Sequence, residues 1–174
     1  MSTGEKIERK NLAHFIDESF NATTPNYGRL GKDLESYSIE MNAETEETQN
    51  ILGETSFNVK GYKPSVSVDT YYAYEGSALY TKLKSIIDNR STGSQLQTTV
   101  VDVPINVSSD GNVTVGEDTY REDVVVVPTS LGGDTGGVQI PFEIHYVGNR
   151  TKGTFDLATK KFTEAAKSTS GSKA

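Results

Sequence analysis

NILGETSFNVKGYKPSVSVDTYYAYEGSALYTKLKSIIDNR, residues 50–90, decides the fold class. Phe57 and Val59 alternate with Ser56, Asn58 and Lys60, the period-two pattern of a half-buried strand. Gly61-Tyr62-Lys63-Pro64 interrupts it with turn formers. From Ser65 onward, Val66, Val68, Thr70, Tyr72 and Tyr74 take one face, and Ser65, Ser67, Asp69, Tyr71 and Ala73 the other. The two segments predict an antiparallel hairpin with one apolar and one hydroxyl-rich face. A helix is predicted next, over 77–89. Ser77 is placed to accept an orphaned N–H of its first turn, and Leu79, Leu83, Ile86 and Ile87 form an apolar stripe opposite Lys82, Lys84 and Asp88. Such side chains stabilise by roughly 1.5–3 kcal/mol each when buried. A helix of about a dozen residues is marginal alone, so it must dock on the sheet.

Before this unit, residues 1–33 read as an arm in which Ile7, Leu12, Phe15, Ile16 and Phe20 line a short helix or an extended segment. Pro25, Gly28 and Gly31 then mark a loop. Leu34–Met41 alternates as a strand, with Tyr37, Ile39 and Met41 on one face and Ser36, Ser38 and Glu40 on the other. Residues 42–54 form a long loop carrying Glu44, Glu46, Glu47 and Glu54 and no cation. It lacks the alternating Asp/Asn and central Gly of a calcium loop, so no metal site is expected.

After the helix, 96–107 is a strand with Pro104 at an edge or bulge, and Asp110-Gly111-Asn112 signals a hairpin into Val113 and Val115. Val124–Val127 within Tyr120–Pro128 is apolar on both faces, the mark of a central, twice-covered strand. Val138–Tyr146 follows, with Gly148-Asn149 as a turn, and Thr154–Leu157 and Lys161–Thr163 form a last short pair. The expected fold is mostly β (α+β), two packed antiparallel sheets forming a sandwich or barrel flanked by one helix. The domain spans 34–164, and 165–174 is a disordered tail.

The 174 residues suffice for one domain. With 34% hydrophobic residues, no Trp and a mean hydropathy of −0.51, the core is thin. A monomer and a subunit that completes its burial against neighbours both fit. Absence of cysteine excludes disulfides, thiol nucleophiles and thiolate metal sites. No apolar run reaches membrane-span length and no secretory h-region opens the chain, so a cytoplasmic origin is expected. A net charge of −7 argues against a basic nucleic-acid footprint. Gly132–Gly137 is followed by a strand and has no GK[ST], so it is a strand–strand loop and not a phosphate cradle. His14 and His145 are the two histidines, no carboxylate pair stands out as acid and base, and neither an enzyme nor a cofactor is expected.

Four blocks carry a resemblance: Arg29-Leu30-Gly31-Lys32-Asp33-Leu34-Glu35, Asn50-Ile51-Leu52-Gly53-Glu54-Thr55, Asp69-Thr70-Tyr71-Tyr72-Ala73-Tyr74, and Gly133 to Ile144. In order and spacing, from Leu12-Ala13-His14-Phe15-Ile16-Asp17 to the last short strand, the chain resembles the tail tube (major tail) proteins of bacteriophages that infect Gram-positive bacteria. That resemblance implies packed antiparallel sheets with one helix, hexameric rings stacked into a tube, one sheet per subunit lining the bore, and a loop between early strands that reaches the adjacent ring. It implies a virion protein assembled in the host bacterial cytoplasm, partnered by tape measure, tube terminator and baseplate proteins, with double-stranded DNA passing non-specifically. Placed on this chain, the bore takes Ser38, Glu40, Asn58, Ser65, Ser67 and Asp69, a list that a one-residue register slip would invert. The inter-ring loop takes Glu44, Glu46, Glu47, Asn50 and Leu52. The inner tube of a contractile tail or bacteriocin-like particle is an alternative. A monomeric β-sandwich binding module is an alternative of another class.

Overall fold

A computed structural model describes residues 4, 6–21 and 23–166. The chain is mostly β, with antiparallel sheets, one helix and a main sheet curled into a half-barrel. Its strands are β1 (Leu12–Asp17), β2 (Tyr27–Leu30), β3 (Ala43–Gln49), β4 (Thr55–Tyr62), β5 (Ser65–Val68), β6 (Gln97–Val107), β7 (Val113–Val115), β8 (Thr119–Pro128), β9 (Gly132–Asp134), β10 (Gly137–Gln139), β11 (Phe142–Asp156) and β12 (Lys161–Glu164). The helix α1 spans Ala78–Asn89. The main sheet has eight strands in the order β12-β11-β8-β6-β1-β2, with β5 also on β11 and β7 on β6; β3-β4 and β9-β10 are separate hairpins.

β11 is the spine. One edge pairs with β8, while the other takes β5 at Phe142–His145 and β12 at Gly153–Asp156. Gly148-Asn149, expected to be a turn, is instead an irregularity inside this strand. Both residues have positive φ, 122° and 54°, and the β8 register shifts on either side of Gly148. Such bulges bend a strand. Beyond the bulge, Phe155 packs 4.4 Å from Phe15 and edge-on to Tyr27 at 5.8 Å. This second apolar cluster, with Val101, Val103 and Ile105, fills the inside of the curl.

The main cluster lies on the opposite face, under the helix. Leu79, Leu83 and Ile86 are buried and Ile87 is half-buried, packed with Val66, Val68, Val100, Val124, Val126, Phe142 and Ile144. The Ser77 hydroxyl accepts from the Tyr80 N–H at 3.3 Å, and Arg90 closes the helix in the left-handed region at φ 49°. The four stripe residues and the cap read from the sequence are all in place.

Five further expectations need correction. Residues 12–30 are not an arm. β1 sits between β2 and β6 with Phe15 and Ile16 both buried, and covering on two faces erases the alternation that marks a strand. β4 pairs with β3, not with β5, so the expected 42–54 loop is a strand and a turn. The 65–74 strand stops at Val68, where β5 leaves β11. Leu34–Met41 forms no strand, only the bridge Glu40–Ser65. The Val124–Val127 run is covered fully on one face alone: Val124 and Val126 are buried, Val125 and Val127 half-buried. Gly132–Gly137 does join strands, as the β9-β10 hairpin, where a Cβ on Gly133 would collide with the Gly137 carbonyl oxygen. From residue 167 onward the expected tail lies outside the described residues.

Candidate assembly surfaces

The β3-β4 hairpin stands clear of the domain. Every residue of β3 is exposed, and so is every residue of β4 except half-buried Gly61. Its turn is built by Asn50, whose side-chain oxygen accepts from the N–H groups of Leu52 and Glu54 at 2.9 and 3.0 Å. The Asn50 amide donates to Glu54 Oε2 at 2.6 Å, and Gly53 takes φ 81°, which suits glycine. Paired residues share a face. Thr45 and Glu47 therefore lie beside Val59 and Phe57, while Glu46 faces Asn58 on the other side. Ion pairs Glu46–Lys60 at 3.0 Å and Glu44–Lys63 at 2.5 Å stitch the second face.

An isolated two-stranded hairpin is marginal in water. This one also presents Ile51 at 103% exposure, Leu52 at 77% and Phe57 at 67%. All five residues expected at an inter-ring contact, Glu44, Glu46, Glu47, Asn50 and Leu52, fall on this hairpin. Asn50 acts by shaping the turn. Ile51 was missed, although an unpatterned apolar pair between turn formers was its signal.

A second surface is the sheet face away from the helix. Register places Ser65 beside His145 and Ser67 beside Glu143, and carries the row through Val125 and Val127 toward Gln97. The bridge to Ser65 puts Glu40 on the same face, and Glu143 Oε2 lies 3.1 Å from His145 Nε2. Of the residues expected to line a bore, Glu40, Ser65 and Ser67 are thus brought together. Exposed Asp69 follows β5 directly, and exposed Ser38 precedes Glu40 by two positions. Asn58 belongs elsewhere, on the hairpin opposite Glu46. Glu143 and His145 were missed, though their alternation with Phe142, Ile144 and Tyr146 places them on this face.

A buried polar cluster lies on the helix side of the sheet, beside the main apolar cluster. His14, 3% exposed, has Nδ1 2.5 Å from Asp102 Oδ1 and Nε2 3.0 Å from the Arg9 guanidinium. Because Arg9 only donates, Nε2 accepts and Nδ1–H donates to the carboxylate. His14 stacks on Tyr37 at 4.1 Å, and the Tyr37 and Tyr146 hydroxyls lie 3.3 Å apart, with Tyr146 donating to Asp102 at 3.5 Å. The cluster joins the strands and ends in no open nucleophile, so it reads as a structural pin.

Desolvation pushes the ionisation of Tyr37 and Tyr146 well above the usual tyrosine range, aided at Tyr146 by the neighbouring Tyr37 and Asp102 charges. Unfolded tyrosine ionises near pH 10. Below that, both states hold these protons and pH has no effect through them. Above it, the unfolded chain loses protons that the folded chain keeps, and stability falls by up to about 1.4 kcal/mol per pH unit for each group. Urea midpoints should be flat in this respect to about pH 9.5 and drop steeply beyond. The double variant Tyr37→Phe/Tyr146→Phe should flatten the drop; an unaltered alkaline slope would contradict the assignment.

Among the described residues no helix is long and apolar enough to cross a membrane, and no cluster of His, Cys, Asp and Glu could hold a metal ion. Compared with known families and curated proteins, the chain matches no family model and no curated sequence.

Proposed function

We propose that the chain is a structural virion subunit that self-assembles into stacked hexameric rings, forming the tail tube through which a bacteriophage ejects its DNA. The observation that carries this reading is the β3-β4 hairpin, an ordered ribbon exposed on all sides with apolar Ile51 and Leu52 at its tip. A side-chain pair of this kind gains roughly 1.5–3 kcal/mol per residue on burial, which only a partner surface can supply here. The open sheet face supports the same reading. Glu40, Ser67 and Glu143 give it a hydroxyl and carboxylates, a wall that repels phosphate and lets a duplex slide. Ring formation would also occupy the free edges of β2 and β12, exposed strand edges being a liability in a soluble chain.

Assembly would take place in the bacterial cytoplasm, with tape measure, terminator and baseplate proteins meeting the tube at its ends and interior. Sedimentation velocity over a wide concentration range tests the reading. Ring-sized and larger boundaries should grow with concentration at the expense of the 18.9 kDa species. A single monomer boundary throughout would favour the binding-module reading instead.

A further inference from the structure

The cleft beside β2 is a basic spot on an acidic chain. Arg9, Lys10, Arg29 and Lys32 line it, against one carboxylate, Glu35, in a cavity of about 540 Å³. Its apolar lining includes Leu12, 43% exposed, and half-buried Leu34. Lys10 is paired with Glu8 at 2.5 Å. The other three cations meet carbonyl oxygens, the His14 imidazole and the Tyr74 ring, and Glu18 and Glu75 line the adjoining pocket that Arg29 and Lys32 share. Arg9 donates to the Leu12 and Tyr37 carbonyls at 2.5 and 2.9 Å, Arg29 donates to the Lys10 carbonyl at 3.2 Å, and Lys32 lies 3.7 Å above the Tyr74 ring. No ion pair among the described residues includes Arg9, Arg29 or Lys32.

The hairpin tip has the complementary composition. Ile51 and Leu52 are bare, and Glu47 and Glu54 flank them without a cation partner among the described residues. β4 has eight residues, a reach of about 26 Å at roughly 3.3 Å per residue, enough to carry the tip off its own domain.

We propose that the hairpin tip of one copy seats in this cleft of the next, with Ile51 and Leu52 on the Leu12 and Leu34 floor and Glu47 and Glu54 facing Arg29, Lys32 and Arg9. This rests on the self-assembly reading and adds the receptor to it. Tip and cleft are different surfaces, so the contact is heterologous and each docked copy offers a fresh tip or cleft to another. Charge attraction of this kind is weakened by salt.

The chain has no cysteine, which makes the test direct. A Leu52→Cys copy is mixed with a Lys32→Cys copy under mild oxidation, beside a control mixture with Ser85→Cys on the exposed side of α1. Disulfide dimers should accumulate at least tenfold faster in the first mixture than in the control. In parallel, Arg29→Glu/Lys32→Glu should raise the assembly concentration at least tenfold, with unchanged circular dichroism. Adding Glu47→Lys, which leaves the turn bond between Asn50 and Glu54 intact, should lower that concentration again by at least threefold. If the parent assembles while the cross-link rates are equal, or while the cleft reversal has no effect or is not rescued, the docking assignment is wrong and the tube reading stands. If the parent never assembles, the tube reading fails and takes the docking assignment with it.

Discussion

Ile51→Ser/Leu52→Ser should abolish polymerisation while leaving the isolated chain as stable as before. Both side chains are exposed in the single subunit, at 103% and 77%, so truncating them removes nothing from its core. Surface changes of this kind stay within about 0.5 kcal/mol, or roughly 2 °C in melting temperature for a domain of this size. In the assembled state the same pair would be buried, at roughly 1.5–3 kcal/mol each. Losing both raises the subunit dissociation constant by at least two orders of magnitude, at tenfold for every 1.4 kcal/mol. Light scattering against concentration, with a thermal melt of the same sample, measures both quantities. Polymers at the parent concentration would remove the tip from the interface. A melting temperature lowered by more than 5 °C would instead place the pair in the fold.

Phe142→Ala should be among the most damaging single changes to the fold. Phe142 is fully buried at the head of β11, paired with Val68 on one side and Pro128 on the other, and edge-on to Tyr71 at 5.6 Å. It therefore ties β5, β8 and the approach to the helix into one cluster. Truncating a buried Phe costs about 3–5 kcal/mol, which lowers the melting temperature by roughly 6–20 °C here. Urea denaturation of the monomer is the check. A loss under 1 kcal/mol would mean that β11 is not the spine of the domain.

What the sequence disclosed was local. Ser77 and the Leu79, Leu83, Ile86 stripe are set by neighbours within one or two helical turns, and they fold as read. Val66 and Val68 were rightly placed on the buried face because alternation survives whichever strand pairs with them. Pairing itself is not local. Phe57 and Val59 alternate like a half-buried strand, yet β4 has both faces in solvent and pairs only with β3. Periodicity reports that a face is apolar, not what covers it.

The same limit hid β1, whose two buried faces leave no alternation to detect, and the continuity of β11, where Gly148-Asn149 bends a strand with residues that usually end one. Candidate surfaces were legible in part. The carboxylates between turn formers mark an exposed segment, expected as a loop and found as a strand of a hairpin. Alternation places Ser65 and Ser67 on the face opposite Val66 and Val68. The basic cleft was not legible, because Arg9, Arg29 and Lys32 are brought together only when β1 and β2 fold against each other.

Negative-stain electron microscopy of the concentrated protein tests the central claim most directly. Class averages should show six-fold rings around an open bore, in register along tubes, and the tip variant should show none. Fields of single compact particles at every concentration would contradict it.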